Sequence, residues 1–284
     1  MVKMKKSVTR TNIVWQICTY AILLLVILAA VFPAIWMLST SIKIPTEQYV
    51  IPPQIIPDTP TLGNYVNVLT NSKMFDAFVN SIIITVSVVV ITLLISILAG
   101  YGLSRYKFRG HGVLKIALLF GQMIPSVVII IPLYFLVAKT GLLDTHFSLI
   151  LADLALTIPM GVIMLSSFFE TVPKELEEAA KIDGCTGIGA LFRVVLPIAK
   201  PGLISVAIYT YIHAWEEFLF ALNLSTSTKT RTLPIAIHMF AGEFAVDWGS
   251  TMAASAIVAF PVLLIFLSCN RYFVKGMADG AVKG

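Results

Sequence analysis

The sequence predicts an all-α polytopic membrane bundle with six transmembrane helices. Three observations carry this. Hydrophobic residues make up 58% of the 284 and charged residues only 12%, about half the charged share of a soluble domain. Six stretches approach the roughly 20 apolar residues that a helix needs to cross a bilayer: 15–38, 82–103, 116–137, 147–169, 203–222 and 252–273. The charges collect between these stretches, and mean hydropathy is +0.91.

Orientation follows from Lys and Arg, which favour the cytoplasmic side. Of the 20 in the chain, one side holds Lys3, Lys5, Lys6 and Arg10, then Arg105, Lys107, Arg109 and Lys115, then Lys174, Lys181, Arg193 and Lys200, and finally Arg271, Lys275 and Lys283. The other side holds Lys43, Lys73, Lys139, Lys229 and Arg231. Both termini are therefore expected in the cytoplasm, as segments 1–12 and 274–284. Between them lie the first span with its external loop (13–75) and a transmembrane core (76–273) that contains a cytoplasmic loop at 171–200. The first apolar run is too long for a cleavable signal and lacks a small-residue cleavage site. Cys18, Cys185 and Cys269 suggest no disulfide framework.

The first external segment, 39–76, contains Pro45, Pro52, Pro53, Pro57 and Pro60, a density that favours extended, turn-rich chain. The basic and aromatic residues of 104–110 read as a short cytoplasmic turn anchored at the headgroups. Pro33, Pro125, Pro132, Pro159 and Pro261 fall inside spans, where they kink helices and leave room between them. Segment 235–249 is too short to span and reads as an interfacial helix with Trp248 at headgroup level.

Residues 173–197 form the most polar island, with four acids and three bases in 25 residues. Pro173 suits a helix start, and Glu175, Glu177 and Glu178 favour its positive end. Leu176, Ala179, Ala180 and Ile182 follow at helical spacing. Gly184 supplies a left-handed cap. A second short helix is expected with Ile188, Leu191, Phe192, Val195 and Leu196 on its apolar side, ended by Pro197.

Ionisable side chains inside a span are costly and normally face the bundle interior or water. Asp153 in the fourth stretch and Glu216 and Glu217 in the fifth are expected at similar depth from the outer face. Tyr209, His213 and Glu216 share one helical face by spacing, with Trp215 beside them. Carboxylates accept from hydroxyls and aromatic rings cover C–H faces, so this set suits a sugar pathway. The other reading is that these residues tie helices together. No GxxxxGK[ST] phosphate loop, Cys/His pair at metal-ligand spacing or nucleophile elbow is present in the sequence. No metal, cofactor or catalytic residue is expected on this chain, and no nucleic-acid partner.

The island also carries a resemblance. Glu178-Ala179-Ala180, Asp183-Gly184 and Leu196-Pro197 resemble the EAA loop of binding-protein-dependent ABC importer permeases. Gly100-Tyr101-Gly102-Leu103-Ser104-Arg105, Phe108-Arg109-Gly110, Leu142-Leu143-Asp144-Thr145, Trp215-Glu216-Glu217-Phe218, Thr232-Leu233-Pro234 and Gly280-Ala281-Val282-Lys283-Gly284 are similar to the carbohydrate subfamily, in particular its smaller maltose-type subunit. The resemblance implies a type I ABC importer permease fold in a prokaryotic plasma (inner) membrane. It implies a second permease chain, two ATP-binding subunits that hold ATP and Mg, an extracellular or periplasmic solute-binding protein, and a sugar or oligosaccharide solute. It also implies alternating access, with the Glu178–Pro197 motif residues coupling to the ATPase. Two departures stand out: Glu216 replaces a usual Asn, and Cys185 a usual Ala or Ser. The alternative is an ion- or proton-coupled secondary transporter that uses Asp153, Glu216 or Glu217.

The topology has a direct check. In a cysteine-free background, Thr59→Cys should react with a membrane-impermeant thiol reagent in intact cells and Thr186→Cys should not. Labelling of the second would reverse the assigned orientation.

Overall fold

In a computed structural model, residues 10–238, 240 and 246–281 are described, and they are helical throughout apart from connecting turns. Helix α1 (Arg10–Ser41) is followed by a 3₁₀ turn (Pro45–Glu47), α2 (Gly63–Thr70) and α3 (Ser72–Arg105). Then come α4 (His111–Met123), α5 (Ser126–Lys139) and α6 (His146–Thr171). Segment 171–200 forms α7 (Lys174–Ile182), α8 (Gly187–Ala190), a π turn (Leu191–Val195) and α9 (Leu196–Ile198). Helices α10 (Lys200–Trp215), α11 (Leu219–Leu224), α12 (Leu233–His238) and α13 (Trp248–Ala281) complete the order.

Among the described residues four helices are long and apolar enough to cross a membrane as single rods, and the count reaches six if each of two sharply bent pairs, α4 with α5 and Gly187–Ile198 with α10, is one span. Two of the expected spans are corrected. Stretch 116–137 is broken between α4 and α5 by 96°. Ile124 is extended there, because Pro125 disfavours helical geometry in the residue before it. The fifth stretch ends early, at Trp215, and Glu216 and Glu217 lie in the break before α11. In contrast, α3 begins ten residues before its apolar stretch, at Ser72. Asn71 caps it by accepting from the Lys73 N–H at 3.0 Å.

The described residues fall into two compact units, one within Met1–Val68 and Phe240–Ala256, the other within Leu69–Met239 and Ile257–Gly284. In the first, α1 exposes its apolar side chains from Trp15 to Phe32 almost without interruption, as a helix solvated by lipid or another chain would. Apart from the 3₁₀ turn at Pro45–Glu47, the proline-rich segment from Ile42 to Pro60 is coil and turn, and the helix α2 forms beyond the last proline. The coil is held by polar contacts. The buried Lys43 lies over the Trp36 ring, 4.6 Å from its centroid, and donates to the Gln54 carbonyl. Asn64 Nδ2 donates to the carbonyls of Ser41 and Lys43, both at 2.9 Å. Segment 235–249 lies partly outside the described residues; its described part is α12 and the first turn of α13.

The second unit is built on α3, α6 and α10. Ile84 and Val88 of α3 pack with Leu149 and Ala152 of α6 and Ala214 of α10. Toward the other end, Tyr101, Leu165, Phe169 and Val206 form a second apolar cluster with Leu191 and Val195. Between these clusters the backbones of α3 and α6 nearly touch. A Cβ on Gly100 would meet Ser166 N at 3.0 Å, and one on Gly161 would meet Ser96 Oγ at 2.5 Å and Thr92 Cγ2 at 3.1 Å. Thr92 and Thr157 share a buried hydrogen bond of 2.9 Å across the same interface. Small residues and paired hydroxyls are how membrane helices associate, because lipid supplies no hydrophobic drive between them.

Gly161→Leu should therefore lower the melting temperature of the purified protein, since overpacking a close contact costs about 1–3 kcal/mol. Gly112→Ala, whose Cβ meets nothing within 4 Å, is the control and should stay within about 0.5 kcal/mol of the starting protein.

Candidate functional site

The loop 171–200 is organised by its first helix. Pro173 immediately precedes α7, and Glu175 and Glu177 occupy its first turn, where the free N–H groups favour acids. At the other end Gly184 has φ +89°. Its N–H donates to the Lys181 carbonyl at 3.0 Å, and the Cys185 N–H donates to Ala180 at 2.9 Å. This is the complete two-bond glycine cap, with Asp183 as the last half-helical residue. Glu178, Ala179, Lys181 and Ile182 face outward, and Ile182 is 87% exposed.

Past the cap, Thr186 accepts from the Gly189 N–H at 3.1 Å and starts the second helix. Two expectations for this helix are corrected. Pro197 does not end it: helical chain continues to Ile198 and breaks at Ala199. The ring of Pro197 would clash with the carbonyl one turn earlier, and the preceding turn is the wider π form, in which the Leu196 N–H reaches back to Leu191. Nor do the five apolar residues share one side. Leu191 and Val195 are buried, whereas Ile188 and Phe192 are 67% and 55% exposed. The rows 188/192 and 191/195 lie on different faces, and only the second meets the bundle.

The inner face of the loop holds what sequence reasoning missed as a site. Glu177, placed among three adjacent acids only as a helix-start signal, is 4% exposed. Its carboxylate accepts from Arg105 Nε at 2.5 Å and from the Tyr101 hydroxyl at 2.9 Å. The signal available was spacing: Glu177 sits one position before Glu178, about 100° around α7, and so on a different face. Its partners, 72 and 76 residues away, have no local mark.

At the opposite end of the spans the expected pathway residues separate. Asp153 is 5% exposed on α6, and the carboxylate within its electrostatic reach is Glu217. Glu217 in turn accepts from the N–H groups of Phe220 and Ala221, at 2.7 and 2.9 Å, and so starts α11. Glu216 lies at the end of α10 and is exposed. Tyr209 and His213 do meet on one face, with ring centroids 5.0 Å apart. Trp215 is buried: it stacks on Tyr211 and donates its indole N–H to the Val258 carbonyl at 3.1 Å, in the turn before Pro261. Trp215 and Glu217 thus have structural partners, and Glu216, His213 and Tyr209 keep accessible surface.

A clasp closes the loops at that end. Asp144, at φ +59°, donates its N–H to the Leu224 carbonyl at 2.9 Å. Its carboxylate accepts from the N–H groups of Thr226 and Ser227, both at 3.0 Å, and from the Thr230 hydroxyl at 2.5 Å. Partial burial pushes the carboxyl up, but the hydroxyls of Ser227 and Thr230 and the two N–H groups outweigh it and hold it at about 2.

With this geometry in place, comparison with known proteins decides the family. The family described as binding-protein-dependent transport system inner membrane component matches residues 92–279. The chain belongs to this family. Relatives extend the match to nearly the whole chain. The sulfoquinovosyl glycerol transport system permease protein of Agrobacterium fabrum is 37% identical, over 89% of each chain. The trehalose/maltose transport system permease protein of Thermococcus litoralis is 36% identical, over 92% of this chain and 94% of its own. Among solved structures, a chain of a bacterial ABC transporter involved in import of the acidic polysaccharide alginate superposes with TM-score 0.81 at 23% identity, over 93% of this chain and 98% of its own. The fold is that of a type I ABC importer permease, as the sequence resemblance implied. This family member is a membrane-spanning transport component and not an enzyme.

The Asp144 clasp makes a pH prediction. Its folded carboxyl titrates at about 2, below an unfolded value of about 4. The unfolded chain therefore binds the proton first, and the contribution is fully present above about pH 4 and lost as pH falls toward the folded value. Asp144→Ala should lower the melting temperature most near neutral pH, and the difference from the unaltered protein should vanish near pH 2.

Proposed function

We propose that the chain is the permease subunit of an ATP-driven importer for a sugar or oligosaccharide, working with a second permease chain, two ATP-binding subunits and an external solute-binding protein. The observation that carries this reading is the agreement of full-length relatives. Permeases named for sulfoquinovosyl glycerol, for trehalose and maltose, and for diacetylchitobiose all align over at least 89% of this chain. The ion-coupled alternative has no comparable support. ATP and Mg reside on the partner subunits in this reading, and both termini lie in the cytoplasm.

The cytoplasmic loop supplies the contact to the ATPase. Its outer surface combines the Glu178 charge with Leu176, Ile182, Ile188 and Phe192, all exposed. A cluster of large apolar side chains on a solvated loop suits a protein partner. ATP closure of the two ATPase subunits draws the coupling helices together and opens the bundle outward, where the binding protein delivers solute. Asp153, Tyr209, His213 and Glu216 are assigned to the solute route, where carboxylates take hydroxyl hydrogen bonds and rings cover C–H faces. Trp215 and Glu217 shape that route by holding α10 and α11.

ATPase activity of the reconstituted complex, with and without loaded binding protein, tests the reading. Gly184→Val keeps free space around the side chain but forces a β-branched residue into the left-handed region, at about 1–2 kcal/mol. Glu178→Lys reverses an outward charge. Both should assemble, and both should lose the stimulation of hydrolysis by loaded binding protein. Full stimulation in both would reduce the loop to a connector.

A further inference from the structure

The loop must do more than touch a partner, because a push on α7 has to reach the spans. Among the described residues, Glu177 is the α7 side chain hydrogen-bonded to a spanning helix. Arg105 is the last residue of α3, and its guanidinium makes two connections at once: Nε to the Glu177 carboxylate at 2.5 Å, and Nη2 to the Val172 carbonyl, just past the end of α6, at 3.0 Å. The side chains of Arg105 and Glu177 are only 6% and 5% exposed. Tyr101, one turn back on α3, adds its hydroxyl to the same carboxylate. Its ring packs edge-on against Phe169 of α6, with centroids 6.2 Å apart.

Three helix ends therefore converge on one carboxylate and one guanidinium. A buried ion pair contributes little net stability compared with an apolar pair of the same volume, while its geometry is sharply defined. Its value at this point is directional. The outward face of α7 is free for a partner, and the inward face is clamped.

We propose that Arg105, Glu177 and Tyr101 form a rigid joint that makes α7 and α3 move as one body, with Arg105 and Glu177 acting as positioning residues for coupling. This rests on the permease reading above. The joint passes a displacement of α7 directly into α3, the helix that packs most closely on α6. It is distinct from the docking surface, which lies on the other side of α7.

The joint is tested in the complete complex, with spin labels at Lys181→Cys on α7 and Leu98→Cys on α3 in an otherwise cysteine-free background, without nucleotide and with ATP and Mg under non-hydrolysing conditions. The expected result is one narrow distance distribution, the same in both states. Glu177→Ala should broaden it or make it depend on nucleotide, and should weaken the stimulation of hydrolysis by loaded binding protein about fivefold or more. Glu177→Gln, whose amide oxygen still accepts from Arg105 and whose NH2 can donate to the Tyr101 hydroxyl, should keep the narrow distribution. A distribution in Glu177→Ala as narrow as in the unaltered complex overturns the joint. If that variant does not assemble, Glu177→Gln decides: narrow supports the joint, and broad or unassembled overturns it. An unaltered chain that recruits no ATPase subunit in the same preparation overturns the permease reading instead, so the two failures are distinguishable.

Discussion

The near-contact of the α3 and α6 backbones is the constraint on which the second unit depends. Within a bilayer, apolar side chains gain little by leaving lipid for a neighbouring helix, so association relies on close packing and interhelical hydrogen bonds. Gly100 and Gly161 permit the approach, and Thr92 and Thr157 bond across it at 2.9 Å. Every functional element of the unit hangs from this pair. α10 packs on both helices, Asp153 sits on the inner flank of α6, and the C-terminal ends of α3 and α6 meet at Arg105.

Polar groups in this protein are placed where backbone geometry needs them. Glu217 starts α11, Asp144 gathers three donors of the 226–230 turn, and Thr186 starts α8. Each satisfies N–H groups that would otherwise be costly to leave without partners near the bilayer. Glu177 differs, because its partners are side chains on another helix. A carboxylate that could cap its own helix is instead committed to holding two helices together, which sets it apart from the neighbouring acids Glu175 and Glu178.

The two faces of the loop 171–200 divide its contacts. Inward, Leu191 and Val195 fill the lower apolar cluster and Glu177 locks to α3. Outward, Ile182, Ile188 and Phe192 remain exposed beside Glu178. The π turn brings about part of this division, because the wider turn carries the chain past Pro197 without ending the helix. A regular turn would set the proline ring against the preceding carbonyl.

The sequence by itself determined the class of fold, the position of the polar helical loop at 171–200 and its glycine cap. These rest on local rules: span length, charge between spans, and the left-handed conformation that Gly184 adopts at φ +89°. It also marked Asp153, Glu216 and Glu217 as unusual, since a carboxylate in an apolar run is visible without a structure. Tertiary structure decided where those carboxylates sit and what they bond to. Hydropathy cannot distinguish Glu217, bonded to two N–H groups, from Glu216, which is exposed. It also cannot foresee that the break at Ile124–Pro125 turns one apolar stretch into two helices 96° apart. The Arg105–Glu177 pair was hidden for the same reason: 72 residues separate its members, and only the packing of α3 against α6 brings them together.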